Sequence, residues 1–312
     1  SLVMETRPAT LPMIQPGTPI LVRPANRVHI GTDPADSLVI DVDAQVQASA
    51  VADLLRSMQQ PCRPEDVAMR IRAAGLNTAD VDEILSRLVS AGKARVPAAA
   101  SAEPALRVRI HGQGPLADLI GSLLSETGIS ARHTARRPGA GAIETWDTNL
   151  VVLTDFLVHD PSLTSALARL RIPHLQVRVR DGVGVVGPLV LPGMSSCLRC
   201  ADHHRTTMEP DWPLLAAQLV RQPGYASSAT IRTTAALAHV QIEQLCTALQ
   251  NPGRVRPASD GSRPLLFDRV LEFRPDTARI EFTQWPPHPL CECRPRAEHE
   301  GPSSILDGER ML

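Results

Sequence analysis

Along the chain, apolar residues first gather in short β-rich runs, Ile20 to Pro24, Arg27 to Gly31 and Ser37 to Val42, separated by Pro, Asn, Gly and Asp. Short runs bounded by turn formers predict a three-stranded meander. The spacing then becomes helical: Val46, Ala50, Val51, Leu54 and Leu55; Val67, Met69 and Ile71; Ile84, Leu85, Leu88 and Val89, with breaks at Pro61 to Pro64 and Gly75 to Asn77. Recurrence at three and four residues predicts short helices there. After Pro97 to Glu103, a stretch poor in bulky apolar residues that reads as a linker, the pattern changes again. Leu106 to Ile110 forms a strand that enters a glycine turn and an amphipathic helix. Asn149 to Asp155, His174 to Val179 and Gly182 to Leu191 read as further strands, and Pro161 to Arg171 as a helix. Asp211-Trp212-Pro213 reads as the start of a helix capped by the aspartate, and Val240 to Leu249 as helical. Pro264 to Phe273 and Thr277 to Thr283 form a predicted hairpin about Arg274-Pro275-Asp276. The expected architecture is an α+β domain over 18–97, winged-helix-like, followed by a doubly wound α/β domain over 104–312.

Composition narrows the function classes. A chain of 312 residues, 43% hydrophobic, is long for one core, and two domains are expected. No run approaches the roughly 18 uninterrupted apolar residues of a membrane helix, and nothing at the N-terminus resembles a signal peptide. A cytoplasmic location with reduced thiols is the expectation. A formal net charge of -1 argues against a protein that lives on phosphate backbones. Lys93 is the only lysine. That becomes informative wherever a mechanism requires one.

A winged-helix-like module can bind DNA, bind a peptide or simply pack. Its third helix, from Thr78, carries Asp80, Asp82 and Glu83 where a DNA reader needs cations, so nucleic acid is not expected. A peptide reader needs an open sheet edge beside an apolar groove, which Ser37 to Asp41 and the third helix would supply. The candidate contacts are Leu38, Val39, Ile40, Val81, Ile84, Leu85 and Leu88. For any one of them, plain core is the competing assignment.

Four of the six cysteines form two tight pairs, Cys197-x-x-Cys200 and Cys291-x-Cys293. Such a quartet suits a closed, tetrahedral, structural zinc site, provided the fold brings a mid-chain loop to the tail. In an extended strand the two CxC side chains would face opposite ways, so this segment must turn, with Pro289 and Pro295 allowing it. Disulfides are the alternative. Cys246 reads as a buried helical cysteine, Cys62 as a loop residue, and His203 and His204 as solvated or as neighbours of the metal.

The glycine turn reads Gly112-x-Gly114-x-x-Ala117, a dinucleotide-type fingerprint whose backbone can approach a phosphate at a helix N-terminus. Asp155, at the carboxyl end of the next apolar strand, is placed to hold a metal-bound nucleotide. A tight strand-to-helix turn needs the same glycines for geometry alone.

The order of strand, GxGxxA, helix, LVVLTD, helix, PHLQVRV, GVGVVGPLVLPGMSSCLRC and a hairpin ending in HPLCEC resembles the ThiF-like superfamily of adenylating enzymes, relatives of ubiquitin-activating enzymes. GPLVLPGMSSCLRCADHHRTTMEPDWP and WPPHPLCEC further resemble members of azoline-forming peptide-modification clusters, often labelled cyclodehydratases. The resemblance spans nearly the whole chain. It implies a structural zinc site on the quartet, an N-terminal element that binds a precursor's leader peptide as an added strand, an ATP-dependent cyclodehydratase partner and a homodimer. Adenylating members also place an acidic residue on the ribose and arginine and lysine on the phosphates. In the corresponding segment, Ser130 to Asp147, this chain offers Arg132, Arg136 and Arg137 and no lysine. Arginine does not freely replace a compact point charge. The expectation is a degenerate nucleotide site, without a full set of groups for ATP and magnesium, in a leader-binding scaffold. An active adenylyltransferase and a winged-helix regulator are the alternatives.

Overall fold

The computed structural model describes residues 11–96, 106–250 and 263–293, and it divides into two compact units, Ser1–Ala102 and Glu103–Leu312. The predicted linker and Pro295 lie outside the described residues.

The first unit opens with β1 (Met13–Ile14), then β2 (Ile20–Arg23), β3 (Arg27–Ile30) and β4 (Leu38–Asp41) in an antiparallel meander of that order. Alternation explains β3: Val28 and Ile30 are buried, while Arg27 and His29 are only half-covered. Asn26, a turn former by sequence, also has a tertiary role. Its amide donates to the carbonyls of Val42, Asp43 and Val46 and accepts from the Ala48 N–H, tying the meander to α1 (Ala48–Ser57). Next come α2 (Pro64–Ala73), with Pro64, Glu65 and Asp66 in its first turn, and α3 (Thr78–Ser90), capped by Asn77, which accepts the Asp80 N–H at 2.8 Å. β5 (Ala94–Arg95) closes the unit by pairing antiparallel with β1. Ile14, Ile30, Leu55, Met58 and Leu88 are completely enclosed between helices and sheet.

The second unit is a seven-stranded mixed sheet. β6 (Arg107–His111), β7 (Ser130–Thr134), β8 (Leu150–Thr154) and β9 (His174–Arg180) are parallel. β10 (Val183–Val190), β11 (Arg269–Arg274) and β12 (Arg279–Gln284) extend it antiparallel, giving the order β12-β11-β10-β9-β8-β6-β7. The doubly wound expectation therefore holds for only part of the sheet. Asp181 and Gly182, at φ 51 and 80, turn β9 straight back into β10 without a crossover helix. On one face, α4 (Pro115–Glu126) and α8 (Ser228–Gln250) share a core with Val108, Ile110, Val152, Leu175 and Val177. On the other, α5 (Pro161–Arg169) packs on Val151 and Leu153. Burial on both sides explains why β8 is apolar from Leu150 to Leu153.

α6 (Leu198–Met208) and α7 (Trp212–Leu219) follow β10. Trp212 anchors this pair, donating its indole N–H to Asp202 at 3.0 Å beneath the Arg205 guanidinium. Asp211 immediately precedes α7, and its side chain makes no capping bond. A ladder of charge runs from Arg180 of β9 onto the terminal hairpin, through Glu272, Arg274 and Glu281 to Arg279. Among the described residues, no helix is long and apolar enough to cross a membrane.

Candidate functional site

Two carboxylate and backbone bonds at the base of the hairpin determine where the cysteines meet. Asp268 accepts the Ser196 N–H at 2.6 Å through its side chain and the Trp285 N–H at 2.7 Å through its carbonyl. The first thiol pair and the returning tail are thus held to one residue. Cys197 precedes α6 and Cys200 lies in its first turn, on the same side of the helix. The tail turns after Trp285, with the Cys291 N–H on the His288 carbonyl at 3.0 Å, as a CxC pair requires to present both thiols together.

All four sulfurs lie within 4.8 Å of one another. The contacts Cys197 to Cys200, Cys197 to Cys291 and Cys200 to Cys293 measure 3.8, 3.6 and 3.5 Å. A tetrahedron of thiolates with bonds of about 2.3 Å to a central zinc has edges of about 3.8 Å. The spacing fits a metal and exceeds the roughly 2.0 Å of a disulfide. Cys200 is held down to about 4 by the Cys197 thiol that donates to it, whereas burial pushes Cys293 up to about 12. A divalent cation is what allows all four to ionise together.

The glycine turn sits at the carboxyl end of β6, against the end of β8. Side chains could not fit there: a Cβ on Gly112 would lie 2.3 Å from the Thr154 carbonyl oxygen, and one on Gly114 would lie 2.5 Å from Asp155 Oδ1. Both glycines are left-handed, at φ 152 and 151. Asp155, itself at φ 68 and 5% exposed, turns its carboxylate onto α4 and accepts the N–H groups of Leu116 and Ala117, each at 3.0 Å. Gly112, Gly114 and Asp155 therefore do converge. They converge on each other, and the anion at the helix N-terminus is the protein's own.

Beside this turn lies a buried polar group that the sequence did not signal. Asp160, 3% exposed, is clasped by Arg137 at 2.7 Å and Arg221 at 3.2 Å. Arg137, a candidate phosphate ligand, is thereby neutralised, while Arg132 stands exposed on β7. His111 is fully buried with Nδ1 3.0 Å from the Thr134 hydroxyl, and burial together with Arg221 lowers it to about 4. Among the described residues neither ring nitrogen of His159 has a hydrogen-bond partner, and burial lowers it to about 3. β7 ends in Thr134, so a hydroxyl stands where a ribose would need a carboxylate. The trace of it in the sequence is His159-Asp160, a polar pair that follows the apolar Phe156 to Val158.

In the first unit, Ile40, Val81, Leu85 and Leu88 are 0–3% exposed and belong to the core. Leu38, Val39 and Ile84 are half-buried between β4 and α3. Cys246 and Cys62 are half-buried, each packed against the core of its own unit. His203 and His204 pack against His288 beside the thiols, with ring centroids 5.0 and 4.8 Å apart, and neither is among the clustered metal-type ligands.

No family model matches the sequence, and no curated protein matches it either. Among solved structures, the fold is similar to that of a heterocyclase solved in complex with substrate and cofactor, with TM-score 0.64, 15% identity, 91% of this chain and 40% of that one covered. It is also similar to the heterocyclase TruD, with TM-score 0.61, 16% identity, and 91% and 43% covered. Escherichia coli MccB, solved with MccA-N7isoASN, gives TM-score 0.57 at 11% identity over 90% of this chain and 99% of MccB. The same protein solved with ATP gives 0.56. The chain spans less than half the length of the two heterocyclases and nearly all of MccB. At such identities the common property is architecture: over about nine-tenths of its length, this chain is built as those heterocyclases and MccB are.

Proposed function

We propose that this protein is the peptide-binding scaffold of a ribosomal-peptide modification system, a ThiF-like member of the azoline-forming cyclodehydratase group. Residues 18–97 serve as a winged-helix-like recognition domain for the leader of a precursor peptide, and residues 104–312 as a domain that retains the adenylating fold. The observation that carries this reading is the engagement of Asp155 with the N-terminus of α4. A nucleotide phosphate can use those N–H groups only if Asp155 leaves. Asp160 on Arg137 and Arg221 supports it in the same way, as does a second unit without a lysine. Structural zinc on Cys197, Cys200, Cys291 and Cys293 holds the domain together. A bound substrate and ATP enter the proposal from the solved neighbours, one with substrate and cofactor and one with ATP. On this reading the modifying chemistry belongs to an ATP-dependent partner enzyme, and the scaffold is a homodimer.

The second reading, an active adenylyltransferase, is favoured by the near-complete coverage of MccB, which was solved with ATP. ATP-dependent pyrophosphate exchange with the purified protein separates the two. The scaffold gives none, with or without candidate precursor. Robust exchange that is abolished in Asp155→Ala overturns it.

A further inference from the structure

β4 pairs only with β3, so among the described residues its other edge is open. Arg87 of α3 donates to the Val39 carbonyl at 3.2 Å, which identifies that edge. Main-chain groups of alternate residues point the same way, so Val39 and Asp41 present theirs outward, while Leu38 and Ile40 face β3. Between β4 and α3 runs a groove of about 530 Å³, floored by half-buried Ile84. Its lining includes Asp41, Asp43, Asp80 and Glu83, against Arg87 as the one cation. All four carboxylates are exposed, and none is in an ion pair among the described residues.

An open edge offers main-chain pairing to any extended peptide, so it does not choose its guest. The carboxylates do. Like charges across such a groove are disfavoured, and a strand with side chains alternating between floor and rim sets every second one against the acids. A second copy of this β4 would bring its own Asp41 and Asp43 into that field and is excluded by repulsion. Phosphate backbones are excluded on the same ground.

We infer that the segment bound here is cationic: an extended peptide that pairs with the edge at Val39 and Asp41, lays aliphatic side chains on Ile84 and sets lysine or arginine against Asp41, Asp80 and Glu83. This rests on the reading of the first unit as a peptide recogniser and adds the chemical class of the peptide.

The test is fluorescence anisotropy on the full-length protein with three labelled peptides of one length, alternating valine with arginine, serine or glutamate. The arginine peptide should bind, the serine peptide more weakly and the glutamate peptide least, with affinity falling as salt rises. Asp80→Asn with Glu83→Gln, both exposed and isosteric, should weaken the arginine peptide roughly three- to tenfold and leave the serine peptide unchanged. Val39→Pro, which removes an edge donor, should weaken both. Equal binding of all three peptides overturns the charge assignment while sparing peptide recognition. Arginine-peptide binding indifferent to Val39→Pro and to the acid substitutions overturns the site. Binding of none of the three overturns the recognition reading as well.

Discussion

Asp155 shows how one side chain acquires its role from the fold. From sequence it is an acid at the carboxyl end of a strand, where ligands gather. In the folded chain its carboxylate closes two helix N–H groups contributed by residues far away in sequence. Asp155→Ala should lower the stability of the second unit by about 1–2 kcal/mol, since an N-terminal cap is lost, and Asp155→Asn by less. Urea unfolding monitored by circular dichroism checks both. Buried His111, His159 and His174 give a second expectation. Their folded values of about 4, 3 and 4 lie below the unfolded value of about 6.5, so the unfolded chain binds more protons in between. Their stabilisation is complete above about pH 6.5 and declines toward pH 4, by up to roughly 1.4 kcal/mol per pH unit for each histidine. The slope of stability against pH should flatten by about one proton in His159→Phe. The histidines escaped a reading of the sequence because each is a lone residue in its own segment. The cysteine quartet was legible because ligand spacing is local.

Among the elements, the meander was legible nearly to the residue, since turn formers bracket each strand and Val28 and Ile30 alternate cleanly with polar neighbours. β7 was not. Ser130 to Thr134 is an outer strand, exposed along most of its length, and has no apolar side to reveal it. α8 was recognised only over its second half, because Ser and Thr crowd its start, where Thr230 and Thr234 turn their hydroxyls back onto the helix or its cap. Those threonines fit α8 to the sheet. A Cβ on Gly184 would stand 2.0 Å from the Thr234 hydroxyl, so β10 and α8 meet through a missing side chain. Gly184→Ala should destabilise by roughly 1–3 kcal/mol through overpacking. Adding Thr234→Ala should recover more than half of that, leaving a positive coupling in a double-mutant cycle. Simple additivity of the two losses would refute the contact.

For the whole molecule, the consequence of the thiol cluster is confined to one unit. Cys291→Ser with Cys293→Ser, or exhaustive chelation, should lower the melting transition of the second unit and leave that of the first in place. Zinc contributes roughly 10–16 kcal/mol in isolated peptides, so even a fraction would register in calorimetry. Metal analysis of protein purified without chelator should return one zinc per chain. The first unit has a different economy of construction. β1 and β5, the first and last strands among its described residues, are paired side by side at Met13↔Arg95 and Ile14↔Ala94. The chain enters and leaves at one seam, so everything between forms a closed cassette that can be cut out and spliced elsewhere without rethreading the rest. Exchanging such a cassette would alter one unit of a protein in a single genetic step.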